Sequence, residues 1–375
     1  MAACGLSHER FIQRPAENRA NFPALHIGRD REVLMAWLAL DIGGANLKVA
    51  NGRGYAFSRP FELWSAPERL SAELTNLIAA APHATQLAIT MTGELADCYE
   101  TKAIGVRAIL DAVEAAAGGR RIAVYLADGN WATLDEARET SLMAAASNWR
   151  ALAEFANRYA SSWPALLIDM GSTTTDVVPL NESGPCPAGL TDPDRLMAGE
   201  LVYTGVERTP VSAIVQRLPW RGGACPVATE LFATVADAYL LLGDLPEDAQ
   251  NTDSADGRPR TKHAAHARMA RMICADTTVF SLADAMRAAT AVRDAQVTLL
   301  EDAIRRVATR LGGQPRTLVL SGHGEFLLRD LAARLSWDCQ LQSLSQELGA
   351  EISRCAPAHA LAVLAGEAWG SQAGE

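Results

Sequence analysis

Two stretches of this 375-residue chain place an aspartate at the end of an apolar run, a glycine two residues on, and small polar residues after it. The first is Trp37-Leu-Ala-Leu-Asp41-Ile-Gly43-Gly44-Ala-Asn46-Leu-Lys48-Val-Ala50. The second is Ala165-Leu-Leu-Ile-Asp169-Met-Gly171-Ser172-Thr173-Thr174-Thr175-Asp176-Val-Val178. Each reads as strand, tight hairpin, strand. Glycines permit positive φ and leave backbone N–H groups uncovered, so such a turn can hold phosphate oxygens. A carboxylate at the strand end, Asp41 or Asp169, can hold a hydrated Mg²⁺ beside the anion. One Asp-x-Gly hairpin is commonplace, and the second copy gives the pattern its weight. The anion-binding candidates are Gly43, Gly44, Asn46 and Lys48 in the first copy and Gly171, Ser172, Thr173 and Thr174 in the second. Asp176 serves either the metal or the turn. Lys48 either adds charge or is an exposed strand residue, and the threonines are also ordinary strand formers.

Three further stretches have chemistry-bearing residues. Thr317-Leu-Val-Leu-Ser321-Gly322-His323-Gly324-Glu325 is a buried strand running into a glycine loop, with Gly322 and Gly324 as phosphate contacts. The helix over 326–335 would point its N-terminus at the ligand. The strand over 87–90 ends in Met91-Thr92-Gly93-Glu94-Leu-Ala-Asp97. Open α/β sheets put their chemistry in loops at strand ends. Glu94 and Asp97 are therefore candidates for a general base or for pairing a cationic substrate group, against simple capping of a helix near 102–117. In Gly199-Glu-Leu-Val-Tyr-Thr-Gly-Val-Glu-Arg208-Thr-Pro210, Arg208 suits bidentate phosphate binding, against a salt bridge to Glu207 or Glu200.

The elements that must position these residues follow from periodicity. Residues 55–63 supply a third strand after the first hairpin. Pro67 opens a helix with Leu70, Leu74, Leu77 and Ile78 on one face. A strand over 122–126 leads to a turn at Asp128–Trp131 that also suits the cleft, and an alanine-rich stretch over 135–159 reads as one or two helices. Residues 185–195 read as loop. A helix is expected over 232–242, and a polar insertion over 246–262, whose basic residues suit a lid over a diphosphate. His263 and His266 lie three apart on the next helix, without an evident third metal ligand. A long amphipathic helix over 283–311 ends at Gly312-Gly313, and an apolar helix over 357–369 closes the chain. The expected division is an N-terminal extension over 1–34, loosely ordered or docked as an arm, a first lobe over 35–163, and a second over 164–375. The last helix either stays with the second lobe or returns to the first.

Composition narrows the partners. The chain is 49% hydrophobic and 21% charged, with net charge −10, which argues against nucleic acid. Seven cysteines without C-x-x-C pairs read as reduced thiols of a cytoplasmic protein. No apolar run approaches about 18 residues, so no membrane span is expected. A homo-oligomer stays open.

Two distant Asp-x-Gly hairpins followed by a Ser-Gly-x-Gly loop resemble the acetate and sugar kinase, Hsp70 and actin superfamily. That resemblance implies an α/β, two-lobe ribonuclease H-like fold with a central cleft. Asp41-Ile-Gly-Gly-Ala-Asn46-Leu-Lys48, Met91–Asp97, Asp169–Asp176, Gly199–Pro210 and Asp256-Gly-Arg-Pro259, in that order, resemble the hydantoinase A/oxoprolinase-related family within it. More narrowly they are similar to its branch in tetrahydromethanopterin-linked one-carbon pathways, whose methanogen member serves methanofuran biosynthesis. The resemblance spans about residue 36 to the C-terminus.

This resemblance implies chemistry without ATP. A phenol oxygen of a tyramine- or tyrosine-type acceptor attacks the methylene of an aminomethyl-furanylmethyl diphosphate, and diphosphate leaves. Mg²⁺ near Asp41 and Asp169 would steady the leaving group. Glu94 or Asp97 would accept the phenol proton or pair the substrate's aminomethyl cation. Two readings from the wider superfamily compete. One is an ATP-dependent small-molecule kinase, with the Ser321–Gly324 loop on adenine or ribose. The other is a nucleotide-gated binding module.

Overall fold

The computed structural model describes residues 36–81 and 84–370, so the expected N-terminal extension lies outside the described residues. The apolar runs that stop at a carboxylate become central strands of two sheets. The first sheet is made of β1 (Trp37–Ile42), β2 (Asn46–Ala50), β3 (Ala56–Pro60), β4 (Gln86–Met91), β5 (Arg121–Tyr125) and β6 (Trp131–Ala132). Its order is β3-β2-β1-β4-β5-β6. The first three strands form an antiparallel meander, and β4 and β5 run parallel to β1. Two helices, α1 (Leu70–Ala80) and α2 (Lys102–Ala116), make the crossovers. Leu70, Leu74, Leu77 and Ile78 of α1 and Val106, Ile109, Leu110 and Val113 of α2 bury their stripes in the core on one face of this sheet. The alanine-rich stretch breaks into α3 (Leu134–Glu139), α4 (Ser141–Ala144) and α5 (Asn148–Ala156).

The second sheet repeats the plan. It holds β7 (Ala165–Met170), β8 (Thr175–Asn181), β9 (Gly184–Pro185) and β10 (Leu201–Val202), and a separate hairpin is formed by β11 (Arg217–Trp220) and β12 (Gly223–Pro226). With β13 (Thr317–Ser321) and β14 (Gln340–Ser343) its order is β10-β8-β7-β13-β14, with β9 paired to β8. Again a three-stranded antiparallel meander is extended by two parallel strands on the far side of its first strand. Two such sheets make the chain a two-lobe α/β protein of ribonuclease H-like topology. The helices of this half are α6 (Asp192–Ala198), α7 (Val211–Ile214), α8 (Val235–Leu242), α9 (Lys262–Arg271), α10 (Leu282–Arg310), α11 (Glu325–Leu335), α12 (Leu344–Leu348), α13 (Ala350–Arg354) and α14 (Ala356–Gly370).

Both sheets are covered on both faces, which is why their central strands read as continuous apolar runs. Helices α8 to α11 bury one face of the second sheet. Between the sheets, Trp149, Leu152 and Phe155 of α5 pack with Leu167, Val178 and Val319 of the second. Leu361, Ala362 and Ala365 of α14 pack with Trp37, Ala39 and Ala88 of the first. The last helix therefore packs on the first sheet, while Ala356 and Ala360 at its start pack against the second. Trp131, expected near the cleft, instead joins Tyr125 and Trp369 in an aromatic cluster. No helix of the described residues is long and apolar enough to cross a membrane.

One local expectation is corrected. Residues 192–195 begin a helix rather than continue a loop, because Thr191 caps α6 and Pro193 sits in the first turn, where a missing N–H is tolerated. The polar insertion is anchored at several points. Asp248 and Arg260 pair through their backbones, and Asp256 accepts from Arg268 Nη1 at 3.0 Å and Arg271 Nη1 at 2.8 Å. Its periodicity is broken because turns and ion pairs hold it.

Arg268 is fully buried, with Asp237 Oδ1 at 2.6 Å from Nη2 as well as Asp256. Removing one partner of a buried pair leaves the other charge uncompensated. Arg268→Ala should therefore lower unfolding free energy by about 3–5 kcal/mol in urea titrations. Arg271→Ala removes only a partly exposed partner of Asp256 and should cost no more than about 1 kcal/mol.

Candidate functional site

Strand register brings the chemistry together. In the first lobe Asp41 is paired across the hairpin with Lys48 and lies beside Thr90 on β4. In the second, Asp169 is paired across the hairpin with Asp176 and lies beside Ser321 on β13. Positions 41, 48 and 90 thus correspond to 169, 176 and 321. The lobes differ at one corner, where the first carries a lysine and the second an aspartate.

That difference sets the electrostatics. Lys48 Nζ lies 3.6 Å from Asp41 Oδ2. Burial works against the ammonium, but the charges of Asp41 and of Asp169, from the other lobe, hold its pKa above the usual lysine value. Asp41 is raised by burial, opposed by Lys48 and the side chain of Asn148. Asp169 is pushed up to about 6, first by burial and then by the facing Asp176 carboxylate. Like charges opposite each other on paired strands repel. Asp176 is itself raised by burial, opposed by Arg195, whose Nη2 lies 2.9 Å from its Oδ1. Arg195 is itself buried, with its guanidinium 3.9 Å from the ring centre of Trp149. This ion pair ties Asp176, at the hairpin, to α6.

Asp41 Oδ1 and Asp169 Oδ1 are both buried and have no hydrogen-bond partner among the described residues. Hard, unpartnered carboxylate oxygens from two lobes are the donor set that Mg²⁺ uses with substrate phosphates. Among the described residues no group of three or more His, Cys, Asp or Glu side chains forms a protein-only metal cage. His263 is exposed, and His266 Nε2 donates to the Phe280 carbonyl at 2.7 Å.

The hairpin turns present their amides. Gly43 N donates to Asn46 O at 3.0 Å and Gly171 N to Thr174 O at 2.9 Å, which closes each turn. The N–H groups of Gly44, Ala45, Ser172, Thr173, Gly322 and His323 have no protein acceptor among the described residues. Gly322 stands against the second carboxylate at φ +92°, where an added Cβ would lie 2.7 Å from Asp169 Oδ1 and 2.4 Å from Met170 O. Gly324 N donates to Met170 O at 2.9 Å. The side chains of Ser172, Thr173 and Thr174 are half-buried at the turn. Gly205 backs this turn so closely that a Cβ would lie 2.5 Å from Thr173 N. Gln296 pins that segment by donating to Gly205 O at 2.8 Å and Thr204 Oγ1 at 2.7 Å.

Glu94 and Asp97 separate clearly. Neither caps α2, which is capped by Thr101 Oγ1. Asp97 is exposed, whereas Glu94 is buried and its Oε2 has no partner. Burial pushes Glu94 up to about 7, against the pull of Lys102. Lys102 Nζ lies 3.6 Å from Glu94 Oε1 and 2.5 Å from Asp192 Oδ2, joining the lobes.

Arg208 makes neither expected salt bridge. Glu207 is taken by His323 Nδ1 at 3.0 Å and Arg260 Nη1 at 3.1 Å. These contacts overcome burial and hold Glu207 down to about 2. Glu200 is taken by Arg310 Nη2 at 2.8 Å. Arg208 lies instead over Trp64 of the first lobe. Asn148 beside Asp41, the buried Cys355 thiol near Lys48, and Trp64 escaped sequence reasoning. For Asn148 the only signal was the polar Ser147-Asn148 pair ending an alanine-rich run.

A synthase of Methanocaldococcus jannaschii, named (4-{4-[2-(gamma-L-glutamylamino)ethyl]phenoxymethyl}furan-2-yl)methanamine synthase, is 33% identical over 330 residues, covering 87% of this chain and 96% of its own. A Methanococcus vannielii protein of the same name is 29% identical over 201 residues, 53% of this chain and 89% of its own. Among solved structures, the activator of the 2-hydroxyisocaproyl-CoA dehydratase from Clostridium difficile with bound ADPNP is 14% identical, with TM-score 0.42 over 90% of this chain and 97% of that one. The Hydantoinase/oxoprolinase family model matches residues 86–367, from the head of β4 through the whole second sheet and into α14. With that match over most of its length, the chain belongs to the hydantoinase/oxoprolinase family.

Proposed function

We propose that the chain is a transferase of methanofuran-type cofactor biosynthesis. It joins an aminomethyl-furanylmethyl diphosphate to the phenol oxygen of a tyramine- or tyrosine-type acceptor and releases diphosphate. The observation that carries this reading is the 33% identity to the Methanocaldococcus jannaschii synthase along 87% of the chain. That relative's name describes a furan methanamine joined through a phenoxymethyl ether to a ring bearing a glutamylaminoethyl chain. The cleft supports the reading, because six unpaired amides and two unpartnered carboxylate oxygens suit an anion that arrives with a cation.

The residues divide the work by chemistry. The amides of Gly44, Ala45, Ser172, Thr173, Gly322 and His323 bind phosphate oxygens, and Lys48 and Arg208 add positive charge. Asp41 and Asp169 would hold Mg²⁺, which when bound supplies Lewis-acid compensation for a departing diphosphate. In the transfer the methylene–oxygen bond to diphosphate breaks with its electron pair going to the diphosphate. The phenol oxygen forms the new bond to carbon, and its proton passes to Glu94. A furfuryl carbon tolerates developing positive charge, so most of the stabilisation is needed at the leaving group. Glu94 suits the base role better than the exposed Asp97, because a buried carboxylate held near neutral pH takes a phenol proton more readily.

The direct test is diphosphate release from an aminomethyl-furanylmethyl diphosphate with tyramine, glutamyl-tyramine or tyrosine in Mg²⁺ buffer. Ether formation with stoichiometric diphosphate is expected, and turnover with ATP alone would replace this reading with the kinase one. Asp41→Asn and Asp169→Asn should each lower kcat by about 100-fold or more with the fold retained by circular dichroism. The base must be deprotonated to act, so kcat/KM should rise as pH increases through about 7, the value at which Glu94 is held. Glu94→Gln should lower the rate and abolish that acidic limb, and a limb unchanged in Glu94→Gln would assign it to another group.

A further inference from the structure

Arg208 and Trp64 stand at the rims of opposite turns. The Arg208 N–H donates to the Ser172 carbonyl at 3.1 Å, in the second hairpin turn. Trp64 follows Leu63, whose N–H donates to the Gly44 carbonyl at 2.9 Å, in the first. Their side chains meet, with the guanidinium carbon 4.8 Å from the centre of the Trp64 ring. Both neighbouring glutamates are occupied by other cations, and the Arg208 guanidinium has no hydrogen bond or ion pair among the described residues. A guanidinium over an indole gains from the ring's negative face while its N–H donors stay directed outward along its edges.

We infer that Trp64 is a positioning residue for the diphosphate, holding Arg208 from the opposite lobe with its N–H donors free for phosphate oxygens. This rests on the anion-binding role proposed for the cleft. Ordering an arginine before the ligand arrives removes part of the side-chain entropy lost on binding. Because the two residues belong to different lobes, the contact also makes the Arg208 grip depend on the lobes being together. Trp64 touches no reacting atom in this account and acts through Arg208.

Isothermal titration of the intact protein with inorganic diphosphate in Mg²⁺ buffer separates the outcomes. Trp64→Ala should weaken diphosphate binding about two- to fivefold, the range expected for loss of an exposed cation–π contact, and Trp64→Phe should recover most of it. Arg208→Ala should weaken it more, and adding Trp64→Ala in that background should change nothing further. A residue that only supports the fold would show its loss in both backgrounds. Unchanged binding in Trp64→Ala, or additive losses in the double variant, would overturn the inference while leaving the transferase reading standing. A wild-type protein that binds no diphosphate would overturn both.

Discussion

One ammonium group, Lys48 Nζ, is set where two lobes bring buried carboxylates together. It neighbours Asp41 at 3.6 Å and is held charged by Asp169 as well. Two buried carboxylates in one cleft are costly unless a cation or a proton offsets them. Lys48 offsets part of that cost, and burial and Asp176 raise Asp169 toward neutral pH for the rest. One oxygen on each carboxylate has no partner among the described residues, which in the proposed reading leaves room for further positive charge. An anion arriving with Mg²⁺ meets that requirement, and the free amides of the three turns meet the anion's own.

The internal duplication explains how such a site arises from ordinary strands. The same register places residue 48 opposite Asp41 and residue 176 opposite Asp169. Changing one corner from acid to base makes two similar hairpins complementary. The remaining acid, Asp176, is paired from behind by Arg195 on α6 and still raises Asp169. The segment over 199–210 then ties the second turn to its surroundings through Gly205, Glu207 and Arg208.

Much of this was readable because it is local. The Asp-x-Gly hairpins, the amphipathic stripe of α1 and the long α10 each follow from residues within a few positions of one another. What was not readable depends on partners far along the chain. Arg195 sits in a stretch that looked like loop because Pro193 masks a helix start. The anchoring of Asp256 is not visible locally because Arg268 and Arg271 lie 12 and 15 residues on. Arg208 has two glutamates nearby in sequence, and nothing local shows that both are taken by Arg260, His323 and Arg310. Trp64, from the other lobe, carries no spacing signal at all. Glu94 and Asp97 are equivalent on paper, and only burial separates them.

In the transferase reading the cleft grips phosphate and uses that grip on a leaving group. The central claim of that reading is that Asp41 and Asp169 act on a single bound metal–anion pair. Anomalous diffraction from crystals soaked with Mn²⁺ and diphosphate tests this most directly. A single Mn²⁺ peak between the two carboxylates, with diphosphate against the turns at Gly44, Ser172 and Gly322, is the predicted result. A peak confined to one lobe, or diphosphate bound away from both turns, would contradict it.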